Sequence, residues 1–191
     1  MMKFILQTKK MQSGFTLVET LVAISIFTLS VLALMVALGG GLKSNNLEKS
    51  KVTANYLAQE GIELMRNMRD TFVLYDGGQN GWSDFLAHVS DCQNKGCVFH
   101  TEELVYGDTN RPITQITLDP CLSALCPPLY YHTDSGTYDY NAGTADAVIS
   151  SFRRNIRLSI INEHEARINS FVFWGDQNTS VSFTENLFDW N

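Results

Sequence analysis

The stretch that decides the fold is Ser13-Gly14-Phe15-Thr16-Leu17-Val18-Glu19, which opens the apolar run FTLVETLVAISIFTLSVLALMVAL, residues 15–38. Glu19 is the only ionisable side chain among those 24 residues. At a rise of about 1.5 Å per residue, a helix of this length spans about 36 Å, whereas the hydrocarbon core of a bilayer is about 30 Å thick. The run therefore predicts a helix that can cross a membrane.

Two ordinary interpretations of this run leave a feature unexplained. A secretory signal peptide has an apolar region of only about 7–15 residues, with a small-residue cleavage site after it. Here the run is longer, and the small residues Ser13 and Gly14 precede it. A simple membrane anchor fits the length, but a carboxylate such as Glu19 costs roughly 2.5–3.5 kcal/mol in a membrane helix and normally has a partner.

Cleavage between Gly14 and Phe15 would supply that partner. It creates an α-amine at Phe15, four residues before Glu19. In a helical stack of subunits, Glu19 of one chain can neutralise the amine of its neighbour, so that a buried charge pair sets the register.

The charge distribution predicts a topology and excludes one class of function. Lys3, Lys9 and Lys10 precede the run and few basic residues follow it directly, which places the N-terminus in the cytoplasm and the rest of the chain outside. Without those three lysines, 11 basic and 20 acidic residues remain, a net charge of −9. Such an acidic body argues against nonspecific nucleic-acid binding. The one candidate basic patch comprises Arg153, Arg154 and Arg157, which we expect to form a solvated face.

The segment from Ser13 to Glu19 resembles the processing motif of type IV prepilins, a small residue and a glycine followed by F-T-L-x-E. The resemblance implies that a prepilin peptidase cuts after Gly14 and methylates the new amine of Phe15. It also implies that Glu19 is the assembly residue, and that the subunit leaves the cytoplasmic membrane for an extracellular filament with apolar helices at its core. The implied partners are the peptidase, other pilin subunits and the pilus assembly machinery.

The chain departs from the pattern of many major pilins near the end of the apolar run. Val36 stands where those proteins carry a helix-bending proline, and the first break signal is Gly39-Gly40-Gly41. Three glycines weaken a helix by roughly 1 kcal/mol each. The segment is predicted either to bend or melt the helix or to act as a simple hinge, and Ser44-Asn45-Asn46 can cap a restarted helix.

The predicted fold class is α+β, with a leader peptide at 1–14, a transmembrane or filament-core helix at 15–42 and an exported globular pilin domain at 43–191. After the glycines, apolar residues recur at three- and four-residue steps, which is typical of an amphipathic helix that packs on a sheet. This stripe consists of Leu47, Ala54, Leu57, Ala58, Gly61, Leu64, Met65, Met68 and Phe72. Gly61 on the stripe indicates close approach of another backbone.

The C-terminal third predicts the sheet. Strands at 152–161, 166–174 and 179–187 are joined by short polar turns and form an antiparallel meander. One face of the first strand carries Phe152, Ile156, Leu158 and Ile160, with Arg154 as the one clash. Farther upstream we expect a short helix at 82–89, one strand at 113–118 and a hairpin at 129–140 around Asp134-Ser135-Gly136.

The four cysteines form two similar pairs, Cys92/Cys97 and Cys121/Cys126, each with four residues between. An even count in an exported chain favours disulfides over a zinc site, whose paired cysteines usually have a two-residue gap. Four cysteines allow three pairings, so the sequence leaves the connectivity open.

The sequence carries no pattern of catalytic or cofactor chemistry. Gly39-Gly40-Gly41 lacks the lysine and hydroxyl residue of a phosphate loop. The histidines lack metal-type spacing, and His164 is expected in a charged hairpin turn. Asp134, Asp139 and Asp146 lack the spacing of a calcium loop and are expected in a solvated loop. We therefore predict neither an enzyme nor a bound cofactor or metal.

A weaker resemblance in the C-terminal half favours a minor pilin related to the pilus-modification subunits. It rests on the segments LAQEGIELMRNMRD and WSDFL, on Trp174 and on the closing Leu187-Phe-Asp-Trp190. The alternatives are a pseudopilin of a type II secretion or DNA-uptake system and a tip adhesin or DNA-binding pilin. In the DNA-binding alternative, Tyr130, Tyr131, Tyr138 and Tyr140 are stacking candidates, although the same residues could simply pack on the body.

Overall fold

The computed structural model describes residues 14–76, 80–101, 116–122, 126–175 and 179–190. The chain divides into two compact units, Met1–Leu47 and Glu48–Asn191. The first α-helix, α1, runs from Leu17 to Thr71 and therefore contributes to both units. The expected α+β fold, with a long apolar N-terminal helix and a C-terminal antiparallel sheet, is confirmed.

Melting at the glycines and a helix restart at residues 44–46 are both contradicted, because α1 continues through Gly39-Gly40-Gly41 and through residues 44–46. The glycines destabilise the helix by about 3 kcal/mol together, but strong helix formers such as leucine, alanine, glutamate and lysine flank them on both sides. Since helix propagation is cooperative once a nucleus exists, these neighbours carry the helix across the weak segment. The potential capping residues 44–46 then have no exposed helix end to cap.

The second part of α1 buries one face, as the amphipathic stripe predicts. Ala54, Leu57, Ala58, Gly61, Met65, Met68 and, in the π-turn Phe72–Asp76, Phe72 are all buried. Two members of the predicted stripe are not buried. Leu47 is exposed, and Leu64 is only half-buried. Ile62 takes the core position instead.

Five antiparallel strands form the main sheet in the order β2-β1-β6-β7-β8. Their bounds are Cys97–Phe99 for β1, Leu118–Pro120 for β2, Arg153–Asn162 for β6, Glu165–Trp174 for β7 and Thr179–Phe188 for β8. The last three form the expected meander, with His164 in the turn between β6 and β7. Of the strand predicted at 113–118, residues 113–115 lie outside the described residues, and β2 begins only at Leu118.

A smaller three-stranded sheet has the order β4-β3-β5, with β3 at Tyr130–His132, β4 at Tyr138–Asp139 and β5 at Ala147–Ile149. Strands β3 and β4 form the predicted hairpin around Asp134-Ser135-Gly136. The predicted short helix is also confirmed as α2, Gly81–His88, and a 3-10 turn at Ser90–Cys92 follows it.

Helix α1 packs closely against the inner face of the main sheet at Gly61. A Cβ atom added at this position would lie 2.6 Å from Ser170 Oγ and 2.9 Å from Ile156 Cδ1. The atoms that approach this glycine belong to side chains of the sheet, whereas a backbone was predicted there. The inner face continues through buried Leu158 and Ile168, but Ile160 at the far end of β6 is about half exposed, contrary to its predicted place in the core.

Arg154 on the same inner face is almost completely buried, at 1% exposure, so the expectation of a solvated arginine is wrong. Its Nη1 donates to Glu60 Oε2 at 2.7 Å and to the Leu57 carbonyl oxygen at 3.3 Å. Arg69 of α1 is also buried, and its Nη1 donates to the Phe188 carbonyl oxygen at 2.8 Å. The carboxylate of the helix supplies the counter-charge that makes burial of Arg154 tolerable.

Candidate processing and assembly site

The peptide bond between Gly14 and Phe15 lies in an exposed segment ahead of the first helix. Both residues are exposed and non-helical, and no heavy atom lies within 4 Å of the Cβ position at Gly14. Helix α1 begins two residues later, at Leu17. An exposed, non-helical peptide bond of this kind is accessible to a peptidase.

Thr16 and Glu19 fix the start of α1. The Glu19 backbone N–H donates to Thr16 Oγ1 at 3.3 Å, and the Thr20 N–H donates to the Thr16 carbonyl oxygen at 3.2 Å. These are the contacts of an N-cap residue with the third helical residue, and threonine followed three residues later by glutamate is the capping-box pattern. Glu19 also lies in the first turn, where its negative charge complements the helix dipole. The T-x-x-E spacing could have revealed this role from the sequence.

The hydroxyl groups of the apolar part of α1 are bonded within the helix itself. Thr20, Ser25, Thr28 and Ser30 donate to backbone carbonyl oxygens three or four residues earlier, at 2.8–2.9 Å. Such internal bonds leave no hydroxyl proton unsatisfied in an apolar medium. Glu19 is therefore the one side chain of this segment whose charge needs a partner from outside it.

The segment Leu17–Gly40 is a helix long and apolar enough to cross a membrane, and none of its 24 residues is buried. Large apolar side chains are exposed all around it, among them Phe27, Leu32 and Met35. Exposed apolar surface on this scale marks a region that contacts lipid or protein.

A family model of the prokaryotic N-terminal methylation motif matches residues 9–38, which include Gly14, Phe15 and Glu19. This match supports a type IV pilin-like precursor. The motif implies processing of this pilin-like precursor by a prepilin peptidase and assembly with other pilin subunits. Together with the apolar helix, it fits a membrane-anchored precursor that becomes part of a surface filament. No curated protein and no solved structure matches the chain.

The cysteines of the pilin-like precursor form two disulfides, Cys92–Cys97 and Cys121–Cys126. The first ties the 3-10 turn to β1, and the second closes the loop that follows β2. All four cysteines are buried. Because both pairs are oxidised, their thiolates are not available for zinc, and the prediction of disulfides is confirmed.

His132 lies between two carboxylates of the small sheet. Its Nε2 is 2.6 Å from Asp139 Oδ1, whereas Nδ1 is 3.4 Å from Asp146 Oδ2 and 3.0 Å from Thr144 Oγ1. The hydrogen bond with Asp139 is the main reason that the pKa of His132 is raised. Asp139 and Asp146 are half-buried, so the expectation that both are solvated is wrong.

The histidines and carboxylates do not converge on a cation within the described part of the chain. Each nitrogen of His132 faces a different carboxylate, and no group of three or more potential ligands lies close enough among the described residues. His164 is exposed in its turn and contacts Asp189 at 3.2 Å.

The four tyrosines proposed for stacking are half-buried, which favours their packing role. The rings of Tyr131 and Tyr138 lie 5.0 Å apart, and Tyr138 meets the ring of Phe152 edge-on at 5.7 Å. The Tyr140 hydroxyl donates to the Arg154 carbonyl oxygen at 3.3 Å. These contacts join the small sheet to an apolar cluster of the body that includes Leu57, Phe152 and Trp174.

Proposed function

We propose that this precursor is cut between Gly14 and Phe15, is methylated at Phe15 and enters a surface filament as a minor subunit through the N-terminal part of α1. The observation that carries the proposal is the complete exposure of Leu17–Gly40. A helix that is apolar on every side requires lipid or other apolar helices around it. The membrane satisfies this requirement before assembly, with the N-terminus in the cytoplasm, and the filament core satisfies it afterwards.

Glu19 sets the register of the incoming subunit in this proposal. Its capping position holds the carboxylate at the first turn of α1, close to where cleavage creates the new amine. In the filament, the carboxylate pairs with the Phe15 amine of a neighbouring subunit. Both charges are then withdrawn from water together, whereas either one alone would be strongly destabilising.

The test is a pair of glutamate substitutions on the same helix. Glu19→Ala should be inserted and cut normally, but only about a tenth or less of the wild-type amount should enter sheared filaments, because one unpaired charge then remains at the core. Glu48→Ala removes the same side chain from an exposed position of the body and should assemble normally. The readout is the ratio of filament-bound to membrane-bound chain on an immunoblot. Normal incorporation of Glu19→Ala would exclude the charge pair.

The pseudopilin alternative shares the N-terminal chemistry and differs in where the processed chain is found. A minor pilin should be identified by mass spectrometry in surface filaments sheared from cells. A processed chain that is absent from those filaments, in cells whose protein secretion fails without it, would instead identify a pseudopilin.

A further inference from the structure

The outer face of the main sheet differs in character from the inner face that packs on α1. Residues alternate between the two faces along each strand, and the register aligns their outward members across strands β6 and β7. Arg153 of β6 lies opposite Phe173 of β7, and Asn155 lies opposite Phe171. Two residues farther along each strand, Arg157 lies opposite Asn169, and then Ser159 lies opposite Arg167. The outward positions thus combine three arginines with two phenylalanines. Asn155, between Arg153 and Arg157, is buried and donates to the Lys95 carbonyl oxygen, so the open path between these two arginines passes over Phe171 and Phe173 of β7.

The arginines of the two faces differ in their partners. Arg66, Arg69 and Arg154, on the helix side, are each in a salt bridge with a carboxylate. Among the described residues, Arg153, Arg157 and Arg167 take part in no salt bridge. The Nη1 group of Arg153 donates to the Cys126 carbonyl oxygen at 2.8 Å, and Nε of Arg167 donates to Asn186 Oδ1 at 3.0 Å.

Acidic side chains are scarce on this face. At the outward positions of β6, β7 and β8 the one carboxylate is Glu165, at the end of β7, where it accepts a hydrogen bond from Asn186 Nδ2 at 2.7 Å. On β2, Asp119 shares the outward register of Val98 and lies 3.0 Å from His100 Nε2. The chain without its first 14 residues has nearly twice as many acidic as basic residues. A face with three cations that lack a salt bridge therefore stands out from the rest of the body, and its charge complements a polyanion.

The two phenylalanines form a stacked pair among these cations. The Phe171 and Phe173 rings are 6.3 Å apart with an interplanar angle of 18°, and both side chains are partly exposed. The Arg157 guanidinium lies 5.6 Å from the centre of the Phe171 ring. Aromatic rings on an open sheet offer stacking surfaces for unpaired bases, and adjacent arginines add attraction for phosphates.

The spacing of the cations suits an extended chain of alternating bases and phosphates. Arg153 and Arg157 are four residues apart on β6, about 13 Å along the strand. Arg157 and Arg167 are diagonal neighbours on adjacent strands, where side chains are about 7–8 Å apart. At the other end of the face, a polar depression of about 160 Å³ is lined by Arg153, Phe173 and the serines Ser150 and Ser151. Its size and polarity fit a phosphate group.

We propose that this outer face, defined by Arg153, Arg157, Arg167, Phe171 and Phe173, binds single-stranded nucleic acid. The stacked rings favour nucleic acid over an acidic protein surface, because carboxylates need only the guanidinium groups. They favour single strands over a duplex, whose bases are already stacked on one another. The surface lies within Glu48–Asn191 and does not depend on cleavage at Gly14 or on filament assembly.

The first test measures binding of fluorescein-labelled oligothymidylate of about 16 nucleotides to the full-length chain in neutral detergent micelles, by fluorescence anisotropy at several salt concentrations. Arg157→Gln combined with Arg167→Gln should weaken binding about tenfold or more. It should also reduce the slope of log affinity against log salt by about 1.4, since each phosphate contact on a single strand contributes about 0.7. The matched control, Lys49→Gln with Lys51→Gln, removes the same charge from exposed helix positions and should leave the slope unchanged.

The second test separates stacking from charge. Phe171→Leu combined with Phe173→Leu keeps apolar bulk but removes the rings, and should weaken binding about tenfold with an unchanged salt slope. Unfolding midpoints of all variants within the range of the wild type verify that the fold is intact. Three results would overturn the proposal: no binding by the wild type, no effect of the leucine substitutions, or competition by polyglutamate as strong as by unlabelled oligothymidylate. The last result would identify an acidic protein as the partner class.

Discussion

The two parts of α1 show what one helix does with and without a partner from its own chain. In Leu17–Gly40 no residue is buried, although almost every side chain is apolar. In residues 48–71, Ala58, Met65 and Met68 are fully buried against the sheet, while polar residues occupy the opposite face. The apolar face of the amphipathic part is buried by its own domain. The apolar surface of the first part can be buried only by lipid or by other subunits, which is the physical basis of the filament proposal.

The charged groups of the two parts of α1 also differ in whether they have a partner within the chain. In the second part of α1, Glu60 pairs with Arg154, and Arg66 pairs with Glu63 and Glu185. In the first part, Glu19 is the sole ionisable group. The body thus contains its own counter-charges, whereas the N-terminal segment must obtain one from another molecule.

The largest effect is expected when cleavage of the N-terminal segment is blocked. Gly14→Leu places a branched side chain at the proposed scissile bond and should leave the precursor at its full 21.4 kDa in cells that contain the peptidase. Gly40→Leu adds the same side chain where no heavy atom lies within 4 Å of the Cβ position, and should be processed normally. Both outcomes are read as band size on an immunoblot. A mature-size band for Gly14→Leu would refute the assigned cleavage site.

A second pair of glycine substitutions tests the packed part of α1 against the exposed part. Gly61→Val should lower the free energy of unfolding of the body by about 2–3 kcal/mol, because the added carbons overlap Ser170 and Ile156. Gly40→Val meets no neighbour and should leave that free energy unchanged within about 0.5 kcal/mol. Chemical denaturation followed by tryptophan fluorescence measures both. Equal stability of the two variants would mean that α1 does not pack on the sheet at Gly61.

Disruption of the ion pair between Glu60 and Arg154 should lower the stability of the body by less than Gly61→Val does. Glu60→Gln leaves the Arg154 guanidinium buried without a counter-charge and should destabilise the body by about 1–2 kcal/mol, less than for a fully buried pair because Glu60 itself is partly exposed. Glu63→Gln alters an exposed pair with Arg66 and should change stability by less than about 1 kcal/mol. The comparison is made by denaturation at neutral pH. A larger loss for Glu63→Gln than for Glu60→Gln would contradict the buried pair.

The smallest effect is the pH dependence contributed by His132. Because the pKa of His132 is raised in the folded state, this group adds stability that is fully present below about pH 6.5 and is lost as pH rises through the folded pKa. The pKa of Asp146 is lowered, chiefly by its hydrogen bond with Thr144, so this carboxylate stays ionised over that range. His132→Gln should remove part of the decline in unfolding midpoint toward alkaline pH. The exposed His164→Gln is the control and should retain the decline.

Features with short sequence periods could be predicted from the sequence. The apolar run, the stripe of α1 and the alternation in β6–β8 each repeat within a few residues, so the helix, the meander and the hairpin were all foreseeable. The processing motif was equally readable because its determinants are consecutive, from Ser13 to Glu19. The helix restart predicted after Gly39-Gly40-Gly41 was wrong because local propensity was outweighed by the helix formers on both sides.

Features that depend on distant pairing could not be predicted. Arg154 interrupts the apolar pattern of its strand, and its partner Glu60 lies 94 residues earlier in the chain. The outer face of Arg153, Arg157, Arg167 and the two phenylalanines exists only once the register of β6 and β7 is known. Nearness in the sequence had grouped Arg154 with Arg153 and Arg157, but adjacent residues of a strand point to opposite faces.

The most direct test of the central claim is mass spectrometry of the N-terminal peptide of this chain from filaments sheared off cells. The filament proposal predicts a peptide that begins at Phe15 and is one methyl group heavier than its sequence requires. A chain in the filament that still carries residues 1–14, or a processed chain that is absent from every filament and remains in the membrane, would contradict it.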